Sequence, residues 1–424
     1  MADSITWTLV CVDCASTFPG DELRYRCTCG GTLDVVQSGS PGIDRETVDE
    51  RLRSRHPHDR SGVWRFRELI LPGADDAIVT RGEGRTGLHP SKALAAWVGL
   101  ESIVLKHEGE NPTGSFKDRG MTVGVTQAMR LGKRRVACAS TGNTSASMAA
   151  YAAIAGLEAY VFVPAGKVAF GKLAQALAYG ARTLEIEGDF DDAMTLVQEL
   201  CAVEDVYLLN SINPFRVEGQ KAIGFELLQD LEWEVPDWIV LPGGNLGNVT
   251  ALTKGLGELH ALGWIDRLPR VAVVQAAGAN PFYTAWTNGA ELVPVRAETL
   301  ATAIRIGAPV SWRKALRGLH ATNGVVTQVD DVAIVEAKAR VDAAGIGAEP
   351  ASCATVAGIR RLVLEGVIAK DARVAGILTG HVLKDPGLVV DYHKGELAGI
   401  ESTLANAPQR VAADLDSLRR AISG

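Results

Sequence analysis

No stretch of this chain is apolar for long enough to cross a bilayer. The longest such run, Ala146 to Leu157, is about 12 residues, Ala-rich and interrupted by Ser147, against the roughly 20 that a membrane helix needs. Basic residues are not in excess. Forty-three Lys and Arg stand against 50 Asp and Glu, a net charge of −7, which opposes a protein built to coat nucleic acid or anionic lipid. The opening MADSITWTLV has Asp3 and no basic residue before its short apolar stretch, so it lacks the layout of a secretory signal and a cytoplasmic location is expected. With no export signal, seven cysteines, an odd number, do not suggest a disulfide framework. Fixed-period repeats and low-complexity tracts are missing too. What remains is an ordinary globular composition, 47% hydrophobic and 22% charged over 424 residues, enough for two or three domains. A small-molecule partner is the default, with neither nucleic acid nor membrane expected.

Four of the cysteines, Cys11, Cys14, Cys27 and Cys29, fall within the first 29 residues. Two thiolate pairs on tight turns can present four sulfurs tetrahedrally to zinc, and a segment too small for its own core gains stability from such a site. The second pair has one intervening residue instead of the usual two, so a metal-free remnant knuckle and a redox role stay open beside structural zinc. Cys138, Cys201 and Cys353 are flanked by apolar residues and read as core thiols.

Residues 41 to 75 mix Pro, Gly and charge and read as a connector plus a surface helix. From about residue 101, short β-rich runs alternate with longer amphipathic ones. SIVLKHE precedes a helix from Ser115 to Leu131, RVACAS one from Asn143 to Ala155, AYVFVP one from Val168 to Tyr179, RTLEIEG one from Asp191 to Ala202, and DWIVLPGG one from Asn248 to Leu262 before RVAVVQA. Strand-then-helix repetition predicts an α/β fold with parallel sheets covered by helices. In such sheets ligands bind beyond the carboxyl ends of the strands, so the loops there carry the chemistry.

Three of those loops are unusual. In Asn111-Pro112-Thr113-Gly114-Ser115-Phe116-Lys117, Thr113 or Ser115 can cap a helix whose first turn holds Lys117. A cation there opposes the macrodipole by roughly 0.3 to 1 kcal/mol, and the same field favours a neutral amine able to condense with an aldehyde cofactor. A solvated surface lysine is the alternative. Ser140, Thr141, Gly142, Asn143, Thr144 and Ser145 follow a strand and carry more polar groups than capping needs, which suits a carboxylate. The loop Gly243, Gly244, Asn245, Leu246, Gly247 and Asn248 lets backbone approach a phosphate. It is not the dinucleotide fingerprint, because the spacing is G-G-x-x-G and the next strand ends near Gln275 instead of an acidic residue. Nor is it a P-loop, since no Lys-Ser/Thr pair follows. An amine, a carboxylate nest and a monophosphate cup together match pyridoxal phosphate carrying an amino acid.

On these residues the chain resembles the fold-type II pyridoxal-phosphate-dependent family, related to the tryptophan synthase β chain. The resemblance rests on NPTGSFKDRG (111–120), STGNTSAS (140–147), PAGKVAFGKLAQALAYGAR (164–182), NSINPFRVEGQK (210–221), PGGNLGN (242–248), AIRIGAP (303–309) and LTGHVLKDP (378–386). It implies two parallel-sheet, three-layer domains with a zinc-ribbon-like cysteine-knuckle extension. The extension is 1–40, the large cofactor domain 41–125 with 220–424, and the small domain 126–219. It implies Lys117 as the Schiff-base lysine and proton carrier, Asn143 at the cofactor's phenolic oxygen, the loop Gly243 to Asn248 at its phosphate and Thr379 at its ring nitrogen. Ser140, Thr141 and Thr144 are implied for the substrate carboxylate. Asn210, Ser211 and Arg216, with Asn245 near, are implied for a leaving phosphate; Lys172 and Lys221 are weaker candidates beside a surface role. His381, after Thr379, either reaches the site or is structural. The implied reaction is a carbon–oxygen lyase step turning O-phospho-L-homoserine and water into L-threonine and phosphate, in a monomer or homodimer.

Two stretches depart from the family pattern. Gly84-Arg85-Thr86-Gly87-Leu88 stands for G-N-T-P-L, and Ile306-Gly307-Ala308-Pro309 for I-G-N-P. An alanine at 308 removes two donors and one acceptor. Changed specificity is therefore the competing expectation: β-replacement on phosphoserine, as in cysteate synthase, or a serine/threonine ammonia-lyase. A binding module built on the cysteine knuckle is a further alternative, weighed down by the acidic charge.

Overall fold

The structure is a computed structural model that describes residues 6–166, 170–188 and 190–423. The chain forms two compact units, Met1–Lys384 and Asp385–Gly424. Within the second unit, helix Pro386–Lys394 ends on Gly395, the Tyr392 hydroxyl accepts from the Leu404 amide at 3.0 Å, and a last helix spans Leu415–Ser423.

Among the described residues, the first unit holds three sheets. Six strands run in the order Val325–Val329, Arg270–Ala276, Trp238–Pro242, Val374–Leu378, Ile103–His107 and Leu88–Pro90, parallel except for the last. Successive side chains point to opposite faces, so Ile239, Leu241, Val271 and Val273 enter one buried cluster while Trp238, Val240, Ala272 and Val274 enter another. A four-stranded parallel sheet, Arg182–Ile186, Glu158–Pro164, Arg135–Ala139 and Val206–Leu208, divides its faces likewise, Val136 and Cys138 against Ala137 and Ala139. Three antiparallel strands, Thr17–Pro19, Thr6–Cys11 and Leu33–Ser38, form the cysteine-bearing sheet. No helix among the described residues is long and apolar enough to cross a membrane.

The expected strands and helices are present with shifts of a few residues. The helix expected at Asn143–Ala155 has those bounds, and the one expected at Ser115–Leu131 spans Lys117–Arg130. The helix expected at Val168–Tyr179 spans Phe170–Ala178, its forecast start lying outside the described residues. One expectation fails in part. Residues 41–75 do contain a surface helix, Arg45–Arg51, yet Val63, Trp64, Phe66, Leu69, Ile70 and Leu71 are core. Their short 3-10 and α turns have no clean period, which hid them as a connector. Cys138, Cys201 and Cys353 are buried, as expected of core thiols.

One buried network gathers several charges around a single carboxylate. The Glu226 carboxylate accepts from Arg65 Nη2 (2.8 Å), Lys106 Nζ (2.7 Å), Arg119 Nη2 (2.8 Å) and the Arg85 and Thr86 amides (2.8 and 3.1 Å). Glu108 takes Arg119 Nε at 2.6 Å and the Thr86 hydroxyl at 2.8 Å. Burial alone would raise the Glu226 carboxyl, but Arg119, Lys106 and Arg65 outweigh it and hold the group well below the usual carboxylate range. A carboxyl depressed in the folded state stabilises above its unfolded pKa and loses that contribution as pH falls. Glu226→Gln, which removes a carboxylate shared by three buried cations and leaves Arg65 without an ion pair among the described residues, is expected to destabilise the fold by about 3–5 kcal/mol in denaturant unfolding. A loss under about 1 kcal/mol would remove the network from the account.

Candidate active site

Strands Ile103–His107, Val374–Leu378 and Trp238–Pro242 are neighbours, and the loops after them are the lysine, Thr379 and glycine loops. The first two are laced together: the Phe116 amide donates to the Thr379 carbonyl and the His381 amide to the Gly114 carbonyl, both at 3.0 Å. Ser115 bridges to Gly380. Lys117 is thus the first residue of its helix because the preceding chain is held as an added ladder. Neither Thr113 nor Ser115 caps that helix. Thr113 instead donates its amide and hydroxyl to Asp118 (2.7 and 2.6 Å), and the buried Ser115 Oγ has no partner among the described residues. Desolvation raises the Asp118 carboxyl to about 6.

The Lys117 side chain is partly accessible, and its Nζ lies 4.1 Å from the centre of the Phe116 ring. Surrounding protein desolvates the amine and Arg216 repels its charge, against an attraction from Glu349; together they lower its pKa to about 7. Desolvation, before any helix field, is therefore what frees the amine. Arg216 comes close because helices Lys117–Arg130 and Pro214–Gln220 cross at glycines: a Cβ on Gly219 would lie 1.9 Å from the Arg119 carbonyl oxygen. Arg216 is buried, donates Nη1 to the Leu209 carbonyl at 3.0 Å and keeps Nε unpartnered among the described residues. Burial lowers its pKa to about 10, so it stays charged at neutral pH.

The loop expected to take a carboxylate follows a strand of the four-stranded sheet. Gly142 is the N-cap of helix Asn143–Ala155 and no side chain caps it, leaving the half-buried Ser140, Thr141 and Thr144 around its first amides. Asn143 Nδ2 donates to the Glu349 carboxylate at 3.2 and 3.4 Å. On the adjacent strand's exit, Asn210 is committed to the Ala139 backbone in both directions (2.9 and 3.0 Å), bracing the start of the Ser140 loop. Ser211 Oγ accepts from Asn245 Nδ2 at 3.1 Å, while Asn245 Oδ1 takes the Val310 amide at 2.8 Å.

In the glycine loop Gly243 serves the sheet, its amide donating to the Val274 carbonyl at 2.7 Å and its carbonyl accepting from Gln275 at 3.2 Å. Beyond it, the amides of Gly244, Asn245, Leu246 and Gly247 have no acceptor among the described residues. Leu246 takes the left-handed φ of +63° as N-cap, a strained position for a side chain, and is kept there by burial in the core. A Cβ on Gly244 would meet Ile304 Cα at 3.1 Å, and both polar atoms of the buried Asn248 side chain lack partners among the described residues.

Thr379 is buried. Ser352 Oγ accepts from the Thr379 and Gly380 amides, both at 2.8 Å, and lies 3.0 Å from Thr379 Oγ1. Ser352 and Glu349, on either side of the start of helix Pro350–Leu364, escaped the sequence reading, since nothing near them in the chain marks chemistry. Lys384, tied by a short hydrogen bond to Gln175, also escaped it although it sits in the LTGHVLKDP segment. His381 Nδ1 accepts from the Leu383 amide at 3.2 Å, a structural contact. Lys221 is corrected: fully buried and paired with Glu218 (2.6 Å) and Glu258 (2.8 Å), it is neither a surface lysine nor free for phosphate. The Lys172 side chain lies outside the described residues.

The departures have local explanations. Arg85 adopts a φ of +52° while its amide serves Glu226. The Gly87 amide donates to Glu110 at 2.5 Å, a bond proline cannot make, and Glu110 also meets His89 at 2.7 Å. Ala308 is exposed, and the Gly307 carbonyl accepts from the Val295 amide at 3.0 Å.

Residues 79–380 match the family model described as pyridoxal-phosphate dependent enzyme, and the chain belongs to that family. It is similar to threonine synthase of Methanosarcina acetivorans, 48% identical over 423 residues covering 98% of each chain. It is also similar to threonine synthase of Methanocaldococcus jannaschii, 46% identical over 90% of this chain and 93% of that one. Among solved structures it is similar to threonine synthase from Escherichia coli (TM-score 0.68, 18% identity, 98% of this chain and 99% of that one). Maize serine racemase follows at TM-score 0.63 and 20% identity, covering 79% of this chain and 96% of that one. At those identities the solved structures speak for the fold, which is fold type II.

The residues present fit a phosphorylated aldehyde: a half-buried lysine whose amine has a lowered pKa, unspent amides at a helix start, and the orphaned polar atoms of Ser115 and Asn248. In protein stripped of cofactor, the rate of reloading with pyridoxal phosphate is expected to rise with pH through about 7 and level off above, because only neutral Lys117 is nucleophilic. A midpoint near that of an ordinary lysine would contradict the desolvated amine.

Proposed function

We propose that this chain converts O-phospho-L-homoserine and water into L-threonine and phosphate. The observation that carries the reading is the 48% identity, across 98% of each chain, with a protein named threonine synthase. Supporting it are a desolvated amine, an uncapped helix start and a buried arginine with an unspent donor, brought together by two parallel sheets.

Lys117, Asn143, Thr379 and the segment Gly243, Gly244, Asn245, Leu246, Gly247 and Asn248 hold pyridoxal phosphate, with the free amides from Gly244 onward on its phosphate. Once bound, the cofactor supplies an electron sink for carbanions at Cα and Cβ. Lys117 Nζ removes the proton at Cα and then at Cβ, for which a pKa of about 7 suits a base working near neutrality. Ser140, Thr141 and Thr144 orient the α-carboxylate at the start of helix Asn143–Ala155. Arg216, with Ser211, Asn245 and the second N–H of Asn210, takes the phosphate leaving Cγ; protons are then returned to Cγ and Cα, and water adds its hydroxyl at Cβ while its proton goes to the departing phosphate. Because Ser352 accepts from two amides, its proton goes to Thr379 Oγ1 or to the Gly380 carbonyl, at 3.0 and 3.3 Å. In the first case the Thr379 proton is free to be donated to a ring nitrogen that stays unprotonated.

The division into 1–40, 41–125 with 220–424, and 126–219 goes with this reading, as does a cytoplasmic monomer or homodimer without nucleic-acid or membrane partners. The four-stranded sheet, residues 135–208, falls inside the proposed small domain.

The test is release of inorganic phosphate from phosphohomoserine and phosphoserine side by side, with the amino-acid product identified. Threonine from the first alone is expected. Lys117→Ala is expected to lose the visible absorption of the bound cofactor and at least about 10³-fold in rate. Turnover of phosphoserine in place of phosphohomoserine, or keto acid from unphosphorylated serine or threonine, overturns the assignment and points to the Ala308 departure.

A further inference from the structure

The cysteine-bearing sheet takes no part in the reaction just described, yet its four thiols converge. The Sγ atoms of Cys11, Cys14, Cys27 and Cys29 all lie within 4.8 Å of one another, with Cys11 and Cys29, and Cys14 and Cys27, at 3.5 Å. These are free thiols, far beyond a disulfide bond length. Four sulfurs about 2.3 Å from a shared ion form a tetrahedron with edges of about 3.8 Å, which the observed spacing brackets.

The backbone is shaped for this arrangement. Cys11 Sγ accepts from the Asp13 amide at 3.4 Å, and Ala15 turns back with a φ of +59° to donate its amide to the Cys11 carbonyl at 3.1 Å. On the other side the Cys27 amide donates to the Gly31 carbonyl, and the Gly30 amide to the Cys27 carbonyl, both at 2.9 Å. Gly31 leaves room for the thiol, because a Cβ there would lie 2.8 Å from Cys11 Sγ and 2.6 Å from Asp13 Oδ2 and would push both side chains aside. The single-residue spacing of Cys27 and Cys29 is thus absorbed by a glycine turn, and both sulfurs still reach the same point.

We propose that these four cysteines bind one zinc ion, and that the sheet it folds straps together the elements that carry the glycine loop and the Asn210–Ser211 loop. Tyr25, two residues before Cys27, accepts the Leu208 amide on its hydroxyl at 2.7 Å and packs edge-on to Tyr207 at 5.9 Å. It covers the open edge of the four-stranded sheet just before Asn210 and Ser211. Strand Leu33–Ser38, close after Cys29, holds the other side. The Leu33 carbonyl takes Lys314 Nζ, the Val35 carbonyl takes Lys254 Nζ at 2.5 Å, and Asp34 pairs with Lys314 (2.8 Å) and Arg317 (3.1 Å). Lys254 is on helix Gly247–Ala261, which starts at the glycine loop, and Lys314 is on helix Trp312–Ala321, which follows the Val310–Ser311 segment bound to Asn245. A sheet of three short strands has little core of its own, so the ion supplies what holds these anchors in register.

The experiment is metal analysis of the full-length protein purified from zinc-containing medium, followed by amide hydrogen exchange before and after zinc is extracted with a thiol-directed mercurial. About one zinc per chain is expected. It is expected to be lost from the Cys14→Ser/Cys29→Ser variant, whose two positions are exposed. After extraction, exchange is expected to speed up at Val206–Leu208 while Arg270–Ala276 stays protected. Zinc-free protein with four freely titrating thiols, or a variant that retains its zinc, overturns the site. Unchanged exchange at Val206–Leu208 after extraction overturns the strap. Neither readout depends on which amino-acid phosphate is turned over.

Discussion

The central constraint is a lysine nitrogen that has to be reachable by a small molecule and yet poorly solvated. Water-filled surroundings would leave Lys117 charged, and complete enclosure would leave it useless. The chain meets both demands by placing the residue, half-buried, at the first position of a helix and crowding its amine with protein. That crowding opposes folding, since the charged form loses hydration and is repelled by Arg216. The Glu226 and Glu108 network on the same helix, through Arg119, offsets it by fastening the helix start to Lys106, Arg65 and the Thr86 loop.

Two parallel sheets do the rest of the positioning. The larger supplies three loops from adjacent strands, and the smaller supplies two. Hydrogen bonds between loops fix their spacing: Phe116 to Thr379, Asn143 to Glu349, Asn245 to Ser211. Glycines set how closely helices approach at one place above all, where Gly219 meets the Arg119 backbone and so brings Arg216 beneath the lysine helix. A positive group there repels a charged Lys117, and in the reaction proposed above the same side chain would attract the leaving phosphate.

Much of this was legible along the chain. Alternation of β-rich and amphipathic runs predicts the parallel sheets, because buried strands and one-sided helices have distinct periods, and the loops with excess glycine or hydroxyl groups lie at strand ends. The hydrophobic stretch around Trp64 and Ile70 was not legible, since its turns are too short to show a period. The capping expected of Thr113 and Ser115 failed because Asp118 and the Thr379 loop compete for the same backbone. Lys221 stood as either a phosphate ligand or a surface cation, and its pairing escaped the sequence because its partners Glu218 and Glu258 are three and 37 residues away, so that only the second helix brings Glu258 to it.

The sequence by itself determined which chemistries the molecule carries: an amine, a glycine loop, a hydroxyl-rich helix start and four clustered thiols, each recognisable because a local spacing demands particular residue types. The tertiary structure decided how those groups behave. The lowered basicity of Lys117, the orphaned donor of Arg216, the pairing of Ser352 with Thr379 and the convergence of a one-residue cysteine spacing with a two-residue one all arise between segments far apart in the chain. Desolvation and hydrogen-bond competition depend on what lies nearby in space, and nothing in a linear pattern records that.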